Sequence, residues 1–153
     1  MWFVKKKEYD FYLAGPMRGY PNLNKEMFTR VAENLRDMGL TVWSPSEQAS
    51  YLKLSFAQCI TLDLNQVINH CRKIAFLPGW RESLGANMEA FAAFACKKEA
   101  IQIVVLGEEF STSGIELVSM DLSHYLLPYQ IGHDRRKFDP HSCPVEAPNT
   151  DHS

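Results

Sequence analysis

The sequence predicts a doubly wound α/β fold: a three-layer sandwich with helices on both faces of a mainly parallel sheet of four or five strands. Three observations predict it. Short apolar runs alternate four times with stretches of helical period, the connections between them are short, and the run Ile101 to Leu106 is almost wholly apolar. A strand apolar on both faces must be covered on both faces, which is the condition of a parallel sheet packed between helices. At 153 residues the chain has the length of one domain with a sizeable core.

The first strand is expected at Tyr9 to Ala14, rich in aromatics and stopped by Gly15-Pro16. A loop with two glycines, two prolines and Arg18 follows, and Asn24 is the expected N-cap of a helix carrying Phe28, Val31, Leu35 and Met38 at helical spacing. Gly39 closes that helix, and Leu40 to Trp43 is the second strand. Ser46 to Leu54 has no period and reads as a loop or a lid. From Ser55, the positions Phe56, Cys59, Ile60, Leu64, Val67 and Ile68 fit a helix of about four turns. Ile74 to Leu77 is the third strand, followed by a polar turn and an alanine-rich helix running to Cys96. Ile101 to Leu106 is the fourth strand, Gly107 to Gly114 a loop, and Ile115 to Leu127 a last helix. The pattern gives one flavodoxin- or Rossmann-like domain over 1–130, and a polar, proline-bearing tail over 131–153 that is expected to be poorly ordered.

Composition narrows the function classes. A net charge of −2 leaves no electrostatic footprint for a nucleic acid polymer or an anionic membrane, and Lys5-Lys6-Lys7 is a single short basic run. No apolar stretch reaches the roughly 18 residues of a membrane span, and the first residues lack a signal peptide's order, so a cytoplasmic protein is expected. Cys59, Cys71, Cys96 and Cys143 are widely spaced, without a Cys-x-x-Cys pair, and suggest neither disulfides nor zinc. His133, Asp134, Asp139, His141 and Cys143 in the tail lack metal-site spacing, so no metal or cofactor is expected.

Chemistry concentrates at Gly79-Trp-Arg-Glu-Ser83-Leu-Gly85-Ala-Asn-Met-Glu89, a strand end, turn and helix start. In a doubly wound sheet the ligand lies beyond the strand ends, where the loops after strands one and three meet. That places Tyr12 to Arg18, Asp63 in the second helix, Ser83 to Gly85, and Glu89 on one edge. Two carboxylates on one cleft suit chemistry at an anomeric carbon, one attacking and the other handling a proton. Ordinary exposed helix acids would read the same way in sequence. Arg18 and Gly19 on one loop, with Ser83 and Gly85 at a helix start, make an anion cradle. The same serine serves equally as an N-cap. Trp43 and Trp80 are either stacking platforms for a base or core aromatics. Neither a P-loop nor a Gly-x-Gly-x-x-Gly fingerprint occurs.

Tyr12-Leu-Ala-Gly15-Pro-Met-Arg18-Gly19, then Asp63-Leu64, then Ser83-Leu-Gly85-Ala-Asn-Met-Glu89, resemble in order and spacing the nucleoside 2-deoxyribosyltransferase superfamily, over about two thirds of the chain. Within it the likeness is to a group of phage and bacterial proteins with Ala-Gly-Pro-Met-x-Gly and Leu-Pro-Gly-Trp-x-x-Ser-x-Gly-Ala. The resemblance implies a doubly wound homodimer that cleaves the N-glycosidic bond of a nucleoside or nucleotide. It makes Glu89 the nucleophile at C1′, Tyr12 the residue that orients its carboxylate, and Asp63 the group that handles the base or its proton. Transferases of the superfamily carry an aspartate where this chain has Ser83. Its monophosphate hydrolases carry serine there with Arg-Gly in the first loop, so Gly15, Arg18, Gly19, Ser83 and Gly85 are assigned to substrate and phosphate. Pro16 stands where those hydrolases usually have serine, which removes one phosphate contact. The expected activity is hydrolysis of a (deoxy)nucleoside 5′-monophosphate to free base and sugar phosphate. The alternatives are base exchange and a nucleotide-binding module without turnover. The resemblance also implies that a segment after the fourth strand reaches the partner's site; Ser111 to Ser119 is its place here, with no residue assigned.

Overall fold

The computed structural model describes residues 8–107 and 114–126. Within them, five strands form one sheet: β1 (Tyr9–Ala14), β2 (Val42–Trp43), β3 (Cys71–Phe76), β4 (Glu99–Val105) and β5 (Ile115–Met120). The strand order is β2-β1-β3-β4-β5, with β1 to β4 parallel and β5 antiparallel to β4. The chain winds outward from β1 in one direction to β2 and in the other to β3, so the switch point lies between β1 and β3. Four helices accompany the sheet: α1 (Lys25–Asp37), α2 (Phe56–Asn69), α3 (Leu84–Ala95) and the single turn α4 (Ser123–Leu126).

Side-chain alternation along the strands divides the core in two. Phe11 and Leu13 of β1, Ala75 of β3 and Leu77 just after it pack with Ile101 and Ile103 against Phe28, Val31, Ala32 and Leu35 of α1. Tyr12 and Ala14, with Ile74 and Phe76, face the other way, toward Val67 of α2, Ala86, Ala90 and Ala93 of α3, and Leu126 of α4. The result is three layers, as the alternating pattern predicts. Each fully buried side chain such as Phe28 or Leu13 contributes about 1.5–3 kcal/mol of transfer free energy.

The element starts show local chemistry at work. Ser55 begins α2 with a reciprocal capping box: its hydroxyl accepts from the Gln58 N–H at 3.2 Å, and the Gln58 side chain accepts from the Ser55 N–H at 2.9 Å. Asn24 does not cap α1 with its side chain. It sits in the left-handed region after Asn22 and Leu23, also left-handed, and its amide donates to the Pro16 carbonyl at 2.9 Å. The asparagine therefore ties down the first loop instead of the first turn of the helix.

The last expected helix is a correction. Ile115 to Met120 is a strand, and only Ser123–Leu126 is helical; Leu127 and the 131–153 tail lie outside the described residues. Leu117, Met120, Leu122 and Tyr125 give a partial helical period, but the edge of β4 offers unpaired backbone groups. Six residue pairs, from Ala100–Met120 to Val105–Ile115, take them up. Ser46 to Leu54, expected as an irregular loop, winds into two short 3-10 turns, Pro45–Glu47 and Ala49–Lys53. No helix among the described residues is long and apolar enough to cross a membrane.

Candidate active site

Both candidate acids occupy core-facing positions of their helices. Asp63 lies between Ile60 and Val67 on the buried stripe of α2, and Glu89 lies between Ala86 and Ala93 on that of α3. The alanines keep α3 close to the sheet, and the carboxyl enters where a small apolar side chain would otherwise pack. Glu89 is 5% exposed and Asp63 8% exposed, so neither is an ordinary surface acid.

Tyr12 reaches them from the middle of β1, on the α2/α3 face of the sheet, instead of from the strand's end. Its hydroxyl donates its one hydrogen to Glu89 Oε1 at 2.7 Å. Burial pushes the Glu89 carboxyl well above the usual range, the nearby Asp63 charge pushes it further, and the Tyr12 bond pulls it partly back. Burial pushes Asp63 up to about 6, against the opposing pull of the Tyr51 hydroxyl and, after it, of the nearby Tyr12. Tyr12 itself is held neutral, first by burial and then by Glu89. The Asp63 charge acts on Glu89, so ionising both buried carboxyls at once is the costly state.

Tyr51 was not singled out by the sequence. It stands in the 3-10 turn Ala49–Lys53, and its hydroxyl donates to Asp63 Oδ1 at 2.9 Å. Trp43 backs both tyrosines, stacked on Tyr12 at 5.3 Å between ring centroids and tilted against Tyr51 at 6.2 Å. An aromatic in an aperiodic stretch was the one available signal; pairing it with an acid twelve residues later needs the fold. Trp80, by contrast, is core: its ring lies 4.3 Å from Phe76, and its N–H donates to the Gln102 side chain at 3.0 Å.

The anion-cradle residues lie on the first loop and at the start of α3. Arg18 is exposed, with its guanidinium 5.1 Å from the centre of the Phe56 ring. A side-chain carbon added at Gly85 would stand 3.7 Å from the same ring, so Phe56 joins the arginine loop to the start of α3. Ser83 is the N-cap of α3, accepting from the Ala86 N–H at 3.2 Å, which leaves its own hydroxyl hydrogen to donate elsewhere. Gly19 lies in an exposed turn. Gly15 has a packing reason of its own: an added carbon would stand 2.9 Å from Leu77 Cβ, so the first loop passes the residue after β3 too closely for any side chain. Gly79 is left-handed and its added carbon would meet Tyr20 Oη at 3.0 Å, which seats the first loop on the turn before α3.

An open cleft of about 440 Å³ lies at the β2 edge, lined among others by Arg36, Thr41, Ser44 and Glu47; of the acid cluster's surroundings it includes Trp43. Arg36 and Glu47 face it as a bidentate ion pair at 2.7 and 2.9 Å. Among the described residues no group of three or more His, Cys, Asp or Glu side chains is placed to hold a metal. His133, Asp134, Asp139, His141 and Cys143 lie outside the described residues, as do Ser111 to Ser113 of the segment expected to reach a partner; the rest of that segment from Ile115 is β5.

No curated protein matches the chain. One sequence family does, over residues 9–104, from the start of β1 to within β4, and so across Tyr12, Asp63, Ser83 and Glu89. The chain belongs to the family described as "Domain of unknown function (DUF4406)".

Proposed function

We propose that this protein hydrolyses the N-glycosidic bond of a (deoxy)nucleoside 5′-monophosphate. The observation that carries the reading is the buried constellation of Glu89 and Asp63 on core-facing helix positions, with the Tyr12 hydroxyl donating to Glu89. Burying two carboxyls costs several kcal/mol unless something is gained by it, and packing alone gains nothing from acids at these positions. The ionised Glu89 carboxylate attacks C1′, and the C1′–N bond breaks with its electron pair leaving on the base. The Asp63 carboxyl gives the base its proton, which produces a glycosyl-enzyme ester on Glu89. Water then attacks C1′, Asp63 takes a proton from it, and Glu89 is released as carboxylate. Tyr12 holds the nucleophile's orientation through both steps. At the sugar's 5′ end, Arg18 and the Ser83 hydroxyl at the α3 N-terminus suit a phosphate dianion, where an acid at Ser83 would repel it.

The test is a panel of ribo- and deoxyribonucleoside 5′-monophosphates incubated with purified protein and read by released base. Release from at least one member is expected, and release from none overturns the reading. Adding a second free base separates hydrolysis from transfer, because transfer yields a new nucleoside or nucleotide.

One observation favours a second reading. Burial and the Asp63 charge both favour a protonated Glu89, and a neutral acid binds a ligand without attacking it. A nucleotide-binding module would show calorimetric binding with no product, and Glu89→Gln would leave its affinity within a few-fold. For assembly, we propose a homodimer: Leu84, Met88 and Phe91 leave an apolar stripe exposed on the outer side of α3. Light scattering at twice the monomer mass is the expected result; monomer mass at every concentration overturns it.

A further inference from the structure

Two phenols bear on Asp63, and they differ in what holds them. Tyr12 belongs to β1, a strand paired on both sides. Tyr51 belongs to a 3-10 turn in which Ala49, Ser50, Leu52 and Lys53 are all exposed, so it is the one side chain of that turn directed inward. Besides the turn's own backbone bonds to Gln48 and Leu54, three contacts secure it: the hydroxyl on Asp63 Oδ1 at 2.9 Å, the ring against Trp43 at 6.2 Å, and the Cys59 thiol on the Tyr51 carbonyl at 3.7 Å. A phenylalanine would serve the packing as well. The hydroxyl therefore has its meaning in Asp63.

We infer that Tyr51 is a positioning residue of this site: its hydroxyl orients the Asp63 carboxyl and favours its ionised form over the protonated one. The groups facing Asp63 are Tyr51 from the turn, Tyr12 from β1, Glu89 from α3, and Cys59 one turn earlier on its own helix. Arg18 of the first loop acts on Cys59. Burial raises the Asp63 carboxyl, and the Tyr51 hydroxyl is the larger of the two phenol influences that lower it, Tyr12 giving its one hydrogen to Glu89. Removing the Tyr51 donor therefore moves Asp63 toward its protonated form, the form that gives the leaving base its proton; that consequence rests on the proposed glycosidase reading, and the hold of Tyr51 on Asp63 does not.

The test is carboxyl-carbon NMR titration of the full chain, wild type against Tyr51→Phe. A hydrogen bond to an ionised carboxylate is worth about one pH unit in such a setting, so the Asp63 midpoint is expected to rise by about that much in the variant. The Tyr51→Phe ring still packs on Trp43, and an unchanged near-ultraviolet circular dichroism spectrum checks that it does. An Asp63 midpoint unmoved in the folded variant overturns the inference. Should the variant fail to fold, wild type alone decides: the Tyr51 Cζ resonance is expected to follow the Asp63 titration, and its independence of that titration overturns the inference. If the monophosphate panel releases base, the alkaline limb of the kcat profile should move up by the same amount in Tyr51→Phe, and a limb that stays in place overturns the catalytic part. A panel without turnover removes the glycosidase reading while the titration still decides the role of Tyr51.

Discussion

The two faces of the sheet are built from the same strands and differ in kind. On the α1 face, Phe11, Leu13, Ala75, Leu77, Ile101 and Ile103 meet Phe28, Val31 and Leu35, an aliphatic and phenyl core. On the α2/α3 face, the alternate residues of the same strands meet three alanines, two tryptophans and tyrosines, with Asp63 and Glu89 among them. One face gains stability from close apolar packing. The other gives part of that up, carrying desolvated acids and the hydroxyls that partner them. Strand alternation is what lets both coexist: Tyr12 is flanked in sequence by Phe11 and Leu13, which point into the dry side.

The sharpest way to break this contrast is Glu89→Gln. Loss of the nucleophile should lower monophosphate turnover by at least about a thousandfold. Thermal unfolding should stay level or move upward, since an uncharged amide replaces a costly buried acid. A large fall in stability would show that Glu89 belongs to the structural side after all.

Phe28→Ala is the mirror experiment on the α1 face. It should cost about 3–5 kcal/mol in denaturant unfolding, because the side chain is fully buried and the site that remains is a cavity. Turnover per folded molecule should be nearly unchanged. Equal damage to both readouts would mean the faces are mechanically coupled.

Next in size is the pH dependence that the acids impose. Asp63 is raised from its ordinary 3.8 to about 6, so the folded state binds its proton more tightly than the unfolded chain does. Between those values the unfolded state holds fewer protons, and the contribution of Asp63 to stability therefore falls as pH rises from about 4 to about 6. The full difference is about 3 kcal/mol. It should appear as the divergence between wild type and Asp63→Asn in urea unfolding at pH 4 and pH 7, with the variant gaining at the higher pH. Parallel curves would place Asp63 in a more solvated setting than its burial indicates.

The α1 face was the more legible of the two. Phe28, Val31 and Leu35 at helical spacing, and Tyr9 to Ala14 closed by Gly-Pro, gave the elements and their buried sides directly, because packing follows period. Glu89 and Asp63 were legible as candidates only by their company, since a buried acid and an exposed one have the same letter. Tyr51 was invisible because its partner is set by where a 3-10 turn lies over α2, and Ser46 to Leu54 has no period to place it. The strand Ile115–Met120 was missed for a related reason: its pairing with β4 is a tertiary opportunity that local period does not encode. Gly15, assigned to phosphate, also serves the contact with Leu77, and sequence has no means of separating those two uses.

The smallest and most discriminating change is Ser83→Asp, because it holds the structural role constant. Aspartate caps a helix about as well as serine and places its charge at the favourable end of the helix dipole. The bond now received from the Ala86 N–H would persist, and stability should remain within about 0.5 kcal/mol. The added charge, however, faces the position assigned to a phosphate dianion. At an effective dielectric typical of a partly solvated rim, repulsion between the two should raise KM for the monophosphate roughly tenfold while sparing the unphosphorylated nucleoside. Both values come from one protein preparation, as the ratio of the two KM values at constant ionic strength. An unchanged ratio would leave Ser83 a cap alone and move the phosphate end of the site away from the start of α3.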